Sequence, residues 1–520
     1  MLRRHFLFNS GAAGLAANMG LPASSGGAVL QNTVYNVLAY GASADGRKMD
    51  TQAIQAAIDA CAEKGGGTVF LPAGKYLTGA IKLKSNIDLH LGSGATLLGS
   101  QDPGDYPVYP SPWPGGSREI SSLIYGDGLT NVSLTGRGII DGQGQAWWTR
   151  QWLMFPKRSA PVPVMSEEER RAEVAKISNG RPRLMTLLNC RNVLIEGLTL
   201  INSAFWTVHP MFCDGVTITE LTILNPVPSP NTDGIDPESC RNVHISDCHI
   251  DVGDDCIAIK SGKDAGGRKV GKPCENITIT NLTTGHGHGV SIGSEMSGGV
   301  RNVTITNCVF QGMDRGIRIK TQRGRGGVVE GVTAANIVMQ DVPEPFALTC
   351  FYSRGNPDEA RPVDEGTPKF RDFHFAHITA RGARSAGQIT GLREMPISGV
   401  VFNDIRIEAQ RGFTCQNARE LAFHNVYIES TRGPALAAKT VEAVEFDGFS
   451  GKASGAPLMT LEDAKGVFVR GCSASAGTSA FLEVSGAASS NIVLRSNNLS
   501  RAAKSVMFGA GAGPAILSEE

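Results

Sequence analysis

Three aspartates in the middle of this 520-residue chain have the types and spacing that acid–base chemistry needs. Asp254 and Asp255 are adjacent, and Asp233 precedes them in the segment NTDGID. Neighbouring carboxylates repel each other and lose hydration when crowded, so a fold gains no stability by placing them side by side. We therefore interpret these aspartates as a catalytic group rather than as structural residues.

The roles that hydrolysis requires can be divided among the three carboxyl groups. Asp233 and Asp255 can together hold and deprotonate a water molecule. Asp254 is crowded by both, so we expect it to have a raised pKa and to keep its proton, which suits a general acid. One protonated acid and a separate pair of water-binding carboxylates form the arrangement of an inverting glycosidase.

The elements that must position these residues follow an internal repeat. A small or polar residue followed by V-x-I or V-x-L recurs along the chain, for example in NVLIEGLTLINS from Asn192 and NVHISDCHIDVG from Asn242. Where the spacing is tightest, one copy follows the next after about 21 to 29 residues, the length of one coil of short strands. Alternation with a period of two buries one face of each strand inside the coil. The repeat predicts an all-β fold, a right-handed parallel β-helix.

Alignment of the coils predicts which side chains share the outer face of the β-helix. Four segments that follow the repeat share one phase, which aligns their inward-pointing apolar residues, Ile235, Ile257, Val290 and Ile317. Alternate residues of a strand face opposite ways, so polar residues of successive coils form outward columns. These columns contain Asp233, Asp255 and His288, then His209, Asp236 and Arg318, then Lys260 and Lys320.

Cations in the predicted columns point to an anionic sugar as the substrate. Arg318 and Lys320 lie beside the carboxylates and would pair with a sugar carboxylate. One alternative is that the two cations only neutralise the aspartates. A broader alternative is a solvated strand face without function. Polar residues cluster in four consecutive coils and are sparse in the same register of later coils, which favours a site.

The short motifs around these residues resemble the signatures of glycoside hydrolase family 28, the polygalacturonases. The four motifs occur here in the family order and are NTD (Asn231–Asp233), DD (Asp254, Asp255), GHG (Gly287–Gly289) and RIK (Arg318–Lys320). The opening segment YNVLAYGASADGRKMDTQAIQAAIDAC is also similar to the first coils of that superfamily. The resemblance extends over residues 34 to 345, with weaker coils beyond.

The resemblance implies a pectin-lyase-like β-helix and hydrolysis of α-1,4-galacturonosyl bonds, with inversion and without a metal or other cofactor. It implies that Asp254 is the acid, that Asp233 and Asp255 activate the water, and that His288 orients or tunes the acid. The predicted substrate contacts are Arg318, Lys320, His209, Lys260 and Asn231. A histidine that is hydrogen-bonded at a strand end is an equally good interpretation of His209.

Loop segments bear on the mode of action, and several rival functions share the β-helix. The segments GSEMSGGVRNV and RIKTQRGRGG look more like bacterial exo-acting members of the family than like fungal endo-acting ones. Insertions at 151–181, 262–274 and 343–369 would wall off one end of the groove and favour exo action. The alternatives are a rhamnogalacturonan- or xylogalacturonan-type hydrolase with the same acids, a pectate lyase, which needs calcium and an Arg base, and a non-catalytic carbohydrate-binding β-helix.

The first residues of the chain predict export. Residues 1–30 contain a twin arginine (Arg3, Arg4), Phe6 and Leu7, and then an Ala/Gly-rich run, which is typical of a twin-arginine signal. The alternative is a disordered basic N-terminus. We expect a periplasmic or extracellular protein with a single β-helix domain over residues 31–520.

Composition constrains the remaining expectations. Lys+Arg and Asp+Glu both number 49, so overall charge indicates no particular partner, and only local clusters can do so. We expect a monomer that binds pectic polysaccharide or oligogalacturonide but no nucleic acid. The sequence contains no run of 18 or more apolar residues, which argues against a membrane span. The segment DTQAIQAAIDACAEKGGG predicts a helix that caps the first coil, beginning at Asp50. The eleven cysteines are interpreted as buried thiols, with one or two disulfides left open.

Overall fold

Three ladders of short strands run along one axis and build a parallel β-helix. The computed structural model describes residues 33–156, 160–353 and 355–519, so the predicted export signal at 1–30 lies outside the described residues. The named strands of this part pair in parallel, apart from a short antiparallel pair formed by Val108–Tyr109 and Glu119–Ile120. The predicted all-β fold class, a parallel β-helix, is confirmed.

The strands are numbered in chain order. Those before the insertion are β1 (Val34–Asn36), β2 (Asp45–Met49), β3 (Gly67–Leu71), β4 (Gly74–Thr78), β5 (Ile81–Lys82), β6 (Ile87–Leu91), β7 (Ala95–Gly99), β8 (Val108–Tyr109), β9 (Glu119–Ile120), β10 (Ile124–Asp127), β11 (Thr130–Gly136) and β12 (Ile139–Asp141). Those of the middle coils are β13 (Met185–Leu188), β14 (Arg191–Glu196), β15 (Thr199–Ile201), β16 (Val208–Met211), β17 (Asp214–Thr219), β18 (Thr222–Leu224), β19 (Arg241–Ser246), β20 (His249–Asp251), β21 (Ile257–Ile259), β22 (Cys274–Thr280), β23 (Thr283–Thr284), β24 (Val290–Ile292), β25 (Val300–Gln311) and β26 (Arg315–Lys320). Those of the last coils are β27 (Val328–Gln340), β28 (Glu344–Thr349), β29 (Lys369–Thr390), β30 (Ile397–Asp447), β31 (Ser450–Ala453), β32 (Met459–Arg470), β33 (Ser473–Ala474), β34 (Leu482–Ser485), β35 (Ser490–Arg495), β36 (Val506–Phe508) and β37 (Leu517–Glu519).

The helices lie at the start of the β-helix and in its insertions. They are α1 (Thr51–Glu63), α2 (Gln145–Met154), α3 (Glu167–Ala175) and α4 (Asp264–Val270), with 3₁₀ turns at Val37–Tyr40, Pro103–Asp105 and Pro514–Ile516. The insertion at 151–181 is partly helical, as predicted, because Ser166 and Glu169 form a capping box at the start of α3. None of the helices in the described part of the chain has the length and apolar character that a membrane span needs.

The predicted capping helix is present as α1. Its buried face packs against the first coil through Ile54, Ala57, Ile58 and Cys61. Asp50 does stand at the start of the helix, but its carboxylate does not cap it. It accepts hydrogen bonds from the backbone N–H groups of Ser43 and Ala44 instead, so this aspartate fixes the preceding turn rather than the helix.

A ladder of asparagines explains the residue that precedes each V-x-I strand. Asn192, Asn276 and Asn302 have φ values of 54°, 58° and 57°, a left-handed conformation that asparagine tolerates better than most residues do. Their side-chain amides stack between coils, since Asn192 donates to Asn131 over 2.8 Å and Asn302 donates to Asn276 over 3.0 Å. The turns therefore stay in register from coil to coil.

The interior of the coils is filled by aligned apolar residues. Aromatic rings stack along the axis in the later coils, with Phe375, Phe402, Phe423 and Phe446 each 5.1 Å from the next ring centroid. All eleven cysteines are buried and free, which confirms their interpretation as small core residues and leaves no disulfide. A continuous core runs from Val37 to Leu494 and supports the outer face that carries the site.

Candidate active site

The predicted outward columns lie on one ladder of the β-helix. This ladder, which we call the third ladder, runs through β5, β10, β13, β16, β21, β24, β26 and β28. Ile235 pairs with Ile257, Ile257 with Val290, and Val290 with Ile317, so the predicted register is confirmed. A bridge from Val208 to Ile235 extends the same register toward the N-terminus.

The three aspartates meet on this ladder. One carboxylate oxygen each of Asp233, Asp254 and Asp255 lies within 4.8 Å of the others. They line a cavity of about 450 Å³ whose walls also include Trp206 and Tyr352. Asp233 and Asp255 are buried, whereas the side chain of Asp254 keeps 26% of its surface exposed. Asp254 is therefore the most accessible of the three carboxyl groups.

Asp255 is held as an ion. Its Oδ2 accepts a hydrogen bond from Nζ of Lys320 over 2.6 Å, and its Oδ1 accepts bonds from Ser291 Oγ over 2.6 Å and from Arg318 Nη1 over 3.3 Å. Burial alone would raise the pKa of Asp255, but the cations Lys320, Arg318 and Lys260 outweigh burial and bring it below its usual value. This carboxylate is charged across the working range of pH.

Asp233 has the opposite environment. Burial, Asp236 and Asp254 raise its pKa well above the usual value, against the attraction of Lys260. Asp236 is fully buried, neither of its oxygens has a hydrogen-bond partner among the described residues, and burial raises its pKa to about 7. Nζ of Lys260 lies 3.5 Å from Asp233 and 3.4 Å from Asp236. The two carboxyl groups and the ammonium thus form one buried cluster that retains a proton at low pH.

His288 links Asp254 to a residue on the next coil. Nδ1 of His288 lies 2.6 Å from Oδ1 of Asp314, and its Nε2 lies 4.0 Å from Oδ1 of Asp254. Burial is the largest influence and lowers the pKa of His288, but the carboxylates of Asp314, Asp255 and Asp254 together raise it by more, so the net pKa lies above its usual value. A protonated imidazole in this position presents Nε2–H toward Asp254.

The glycines beside His288 allow this close approach. Gly287 has a φ of 115°, and a Cβ atom there would lie 2.5 Å from the backbone oxygen of Asp254. The backbone N–H of His288 donates to that same oxygen over 3.0 Å. The GHG motif is therefore a steric requirement of packing the histidine strand against the acid.

The family of the chain follows from comparison of its sequence with a family model. The model of glycosyl hydrolases family 28 matches residues 61–424, and the carboxylates, histidine and cations just described all lie inside that range. This chain belongs to glycosyl hydrolases family 28. The match confirms the resemblance and extends it beyond residue 345. As a member of this family the chain is a hydrolytic glycosidase, which favours the predicted hydrolase over the lyase and over a non-catalytic binding protein.

Individual relatives are similar over most of their length. A probable polygalacturonase of Vitis vinifera is 35% identical over 380 residues, which cover 71% of this chain and 73% of the relative. An endo-polygalacturonase of Pectobacterium carotovorum subsp. carotovorum is 32% identical and covers 64% of this chain and 77% of the relative. The solved structure of a hyperthermoactive exopolygalacturonase from Thermotoga maritima superposes with a TM-score of 0.66 at 32% identity, over 76% of this chain and 91% of that chain.

The predicted substrate residues fall into two groups in this family 28 chain. Asn231, Lys260 and Lys320 line the cavity, and Arg318 lies at its edge through the bond to Asp255. His209 is 2% exposed, lies 2.9 Å from Glu238 and lines a smaller neighbouring cavity. A sugar contact by His209 stays a prediction that this buried position does not favour.

Several residues of the site carry no signal in the sequence repeat. Arg181 donates to Asn231 Oδ1 over 2.8 Å and to two backbone oxygens, which fixes the NTD turn. Arg183 and Glu119 form an ion pair at the cavity wall. Arg181 ends the insertion at 151–181, Arg183 follows it, and Glu119 belongs to β9. None of them lies in a copy of the repeat, so the sequence analysis missed them. Asp314 was missed too, although it stands immediately before the segment RGIRIK, where the coil register would have placed it beside His288.

The negative charge of the carboxylate cluster is balanced by cations of the chain itself. Asp233, Asp254 and Asp255 have the spacing of a cation site. However, Lys320 and Arg318 bond Asp255, and Lys260 lies beside Asp233. A second group of possible ligands in the described residues, His424, Glu445 and Asp447, includes two carboxylates that pair with Arg470.

Proposed function

We propose that this chain hydrolyses α-1,4-galacturonosyl linkages of polygalacturonate and its oligosaccharides. The observation that carries the proposal is the placement of three carboxyl groups and Lys320 in one cavity, with Arg318 at its edge. Lys320 is committed to Asp255, but Arg318 lies 3.3 Å from that carboxylate and Arg183 lines the cavity, so cations remain for the carboxylate that each unit of a uronic acid polymer brings.

We assign the proton donor of the reaction to Asp254. Its exposed position lets it reach the glycosidic oxygen, and His288 faces it with a raised pKa. After the donor has given up its proton, a protonated His288 stabilises the new carboxylate electrostatically. The two changes together let the leaving sugar depart as a neutral alcohol.

The water is activated by the other two aspartates. Asp255 is charged and fixed by three hydrogen bonds, so it can orient a water molecule. Asp233 accepts the proton of that water once the Asp233–Asp236 pair has lost its own proton. The pKa of the pair therefore sets the acid side of the pH profile.

The directions of the pKa shifts are also consistent with an exchange of roles between Asp233 and Asp254. Pairs of carboxyl groups whose pKa values are pushed apart often mark the acid and the base, and here the raised value belongs to Asp233. In that arrangement Asp233 would be the donor. The accessibility of Asp254 and its contact with His288 favour the first assignment, and the pH profile of an Asp236→Asn variant separates the two.

We propose inversion at the anomeric carbon from the family resemblance. The separation within the carboxylate cluster, 4.8 Å or less between oxygens, is shorter than the roughly 6.5–9.5 Å typical of inverting carboxyl pairs. The separation alone would suggest retention. Proton NMR of the first product decides between them, because inversion of an α-linkage releases the β-anomer and retention releases the α-anomer.

We propose exo action from the walls of the cavity. On one side stand β9, Gln151 of α2 and the turn at Asn179. On the other side stands Tyr352, which lies beside Lys320 and belongs to the predicted insertion at 343–369. A walled cavity admits a chain end more readily than the middle of a polymer.

One experiment tests the activity and the mode together. Polygalacturonate, methyl-esterified pectin, rhamnogalacturonan and xylogalacturonan are each incubated with the protein in chelator, and reducing ends, viscosity and unsaturated products are followed. We expect reducing ends from polygalacturonate, slow loss of viscosity and no absorbance from a double bond. A rapid fall in viscosity would contradict exo action, and no hydrolysis of polygalacturonate would contradict the substrate class.

We also propose export through residues 1–30. The twin arginine and the Ala/Gly-rich run that follows it support this proposal. Expression of the full chain and of an Arg3→Lys, Arg4→Lys variant tests it by fractionation of the cells. We expect the wild-type protein in the periplasm or medium and the variant inside the cell.

A further inference from the structure

An aromatic residue stands one coil before the catalytic aspartates on the third ladder. Thr207 N–H donates to Asp233 O over 2.9 Å, which places Trp206 directly next to Asp233 along the helix axis. The indole of Trp206 is partly exposed and lines the same cavity as the aspartates. Phe205 stacks on it with ring centroids 5.0 Å apart and holds its plane. The site thus has an indole on its N-terminal side, with Phe205 stacked on the ring and the cations of Lys260 and Arg183 over it.

Two cations lie against this ring, and their surroundings differ. Nζ of Lys260 is 4.5 Å from the ring centroid of Trp206 but is surrounded by Asp233, Asp236 and Glu295. The guanidinium of Arg183 is 4.9 Å from the same centroid. Lys260 therefore has its charge matched inside the protein, and Arg183 is the better candidate for binding a ligand.

Arg183 has unused hydrogen-bonding capacity. Its Nη1 donates to Glu119 Oε2 over 2.9 Å, whereas its Nε is buried and has no hydrogen-bond partner among the described residues. An unsatisfied buried donor on a charged group is costly unless a ligand completes it. The side chain of Arg183 is 18% exposed, and that of Glu119, at 39%, faces solvent more. A carboxylate that entered the cavity would meet the exposed part of the Arg183 guanidinium, and a small shift of the side chain would bring the unpaired Nε to it as well.

The geometry points to a second uronate subsite formed by Arg183 and Trp206. This inference rests on the proposed function and adds where the neighbouring sugar is recognised. Arg318 and Lys320 stand two coils beyond Asp255, on the C-terminal side, and Arg183 and Trp206 stand before Asp233, on the N-terminal side. A galacturonosyl chain that crosses the aspartates therefore presents one carboxylate to Arg318 and another to Arg183, which the indole of Trp206 holds in place.

The chemistry of each partner fits this role. An arginine fork binds a planar carboxylate through paired hydrogen bonds, and its attachment to an aromatic face holds it in place. The indole against which Arg183 lies shields one side of this ion pair from water. Arg183 is thus a specificity-determining residue for a uronate beside the cleaved bond rather than a residue that touches the reacting atoms.

The competing interpretation is that Arg183 only anchors β9 by pairing with Glu119. The two interpretations differ when the ion pair is broken from either side. Arg183→Met removes both the anchor and the uronate partner. Glu119→Gln removes the anchor but leaves Arg183 free for substrate. Arg183→Lys keeps the charge without the fork.

The experiment measures KM and kcat on trigalacturonate for these variants, with Arg137→Met as the matched control because Arg137 pairs with exposed Glu220 outside the site. We expect Arg183→Met to raise KM roughly tenfold or more with little change in kcat, since a hydrogen-bonded charge pair is lost. Arg183→Lys should fall between Arg183→Met and wild type. Glu119→Gln should lower KM, because its carboxylate no longer competes, and Arg137→Met should match wild type.

The outcomes separate this inference from the proposed function. An equal rise in KM for Arg183→Met and Glu119→Gln would show an anchor only and overturn the subsite, as would an unchanged KM in Arg183→Met. A wild-type protein that does not cleave trigalacturonate would overturn the proposed function and the subsite with it. Calorimetric binding of trigalacturonate to Asp254→Asn with and without Arg183→Met, beside the melting temperatures, shows whether an inactive variant has lost binding or folding.

Discussion

Lys320 donates to Asp255 over 2.6 Å while both side chains are almost fully buried, so this ammonium is committed to a carboxylate of the protein itself. Lys320 is also the largest of the cationic influences that lower the pKa of Asp255. The sequence suggests Lys320 chiefly as a partner for the substrate. The structure favours the alternative interpretation, in which the cation balances the aspartates.

The pH profile of Lys320→Met tests which interpretation holds. Because a cation that lowers the pKa of Asp255 is lost, the variant should protonate Asp255 at higher pH. The acid limb of kcat/KM, which the Asp233–Asp236 pair sets in the wild type, should then move upward or become steeper as this second carboxylate titrates. Affinity for oligogalacturonate should change little, since Arg318 remains. A sharp rise in KM with an unmoved acid limb would restore the substrate-clamp interpretation.

Asp254→Asn tests the assignment of the general acid. The amide cannot donate a proton to the leaving oxygen, so turnover should fall about a hundredfold or more. The side chain is partly exposed and contributes no core contact, so the melting temperature and oligogalacturonate binding should stay near wild type. Asp372→Asn, an exposed aspartate far from the site, is the control. Wild-type activity in Asp254→Asn would remove the residue from the mechanism.

Asp236→Asn tests the buried pair that includes Asp233. The substitution removes a like charge whose presence raises the pKa of Asp233, so that pKa should fall. If Asp233 is the base, activity appears as it loses its proton, and the acid limb should move to lower pH. If Asp233 is instead the donor, activity disappears as it loses its proton, and the basic limb should move to lower pH. The pH dependence of kcat/KM measures both limbs at once.

The coil register is predictable because each coil repeats the same alternation of apolar and polar residues. Ile235, Ile257 and Val290 mark the interior face with a period of two, and stacking then determines which outward residues are neighbours. The fold class, the columns and the position of His288 follow from that rule. The amino-acid sequence alone is therefore sufficient to place the residues on strands of the repeat.

Burial and loop contacts are not predictable in the same way. The raised pKa of Asp233 arises chiefly from burial and then from Asp236, and the depth of these two side chains is not revealed by their spacing in the sequence. Arg183 and Glu119 reach the cavity from segments outside the repeat, and their pairing depends on how those segments fold back.

The asparagine ladder makes a separate prediction about stability. Asn276 has a φ of 58°, accepts a hydrogen bond from Asn302 and donates one to Asn242. Asn276→Ala should lower the free energy of unfolding by about 1–2 kcal/mol, because alanine is strained in the left-handed conformation and the amide bonds are lost. Asn276→Gly loses the same bonds without that strain and should cost less. Denaturant unfolding of both variants measures the difference, and equal losses would mean that backbone conformation contributes nothing.

Asp314→Asn tests whether His288 acts through its charge. The Asp314 carboxylate lies 2.6 Å from Nδ1 of His288 and contributes most among the carboxylates that together outweigh burial and raise the pKa of the imidazole. An asparagine keeps the size of the side chain and removes that attraction, so His288 should lose its proton at lower pH. Since a protonated His288 stabilises the carboxylate left on Asp254, the basic limb of kcat should move to lower pH while KM stays nearly constant.

NMR titration of the imidazole in both proteins measures the shift in the pKa of His288 directly. A lower pKa of His288 with an unmoved basic limb would mean that the histidine serves only as a spacer, and His288→Gln would then retain most of the activity.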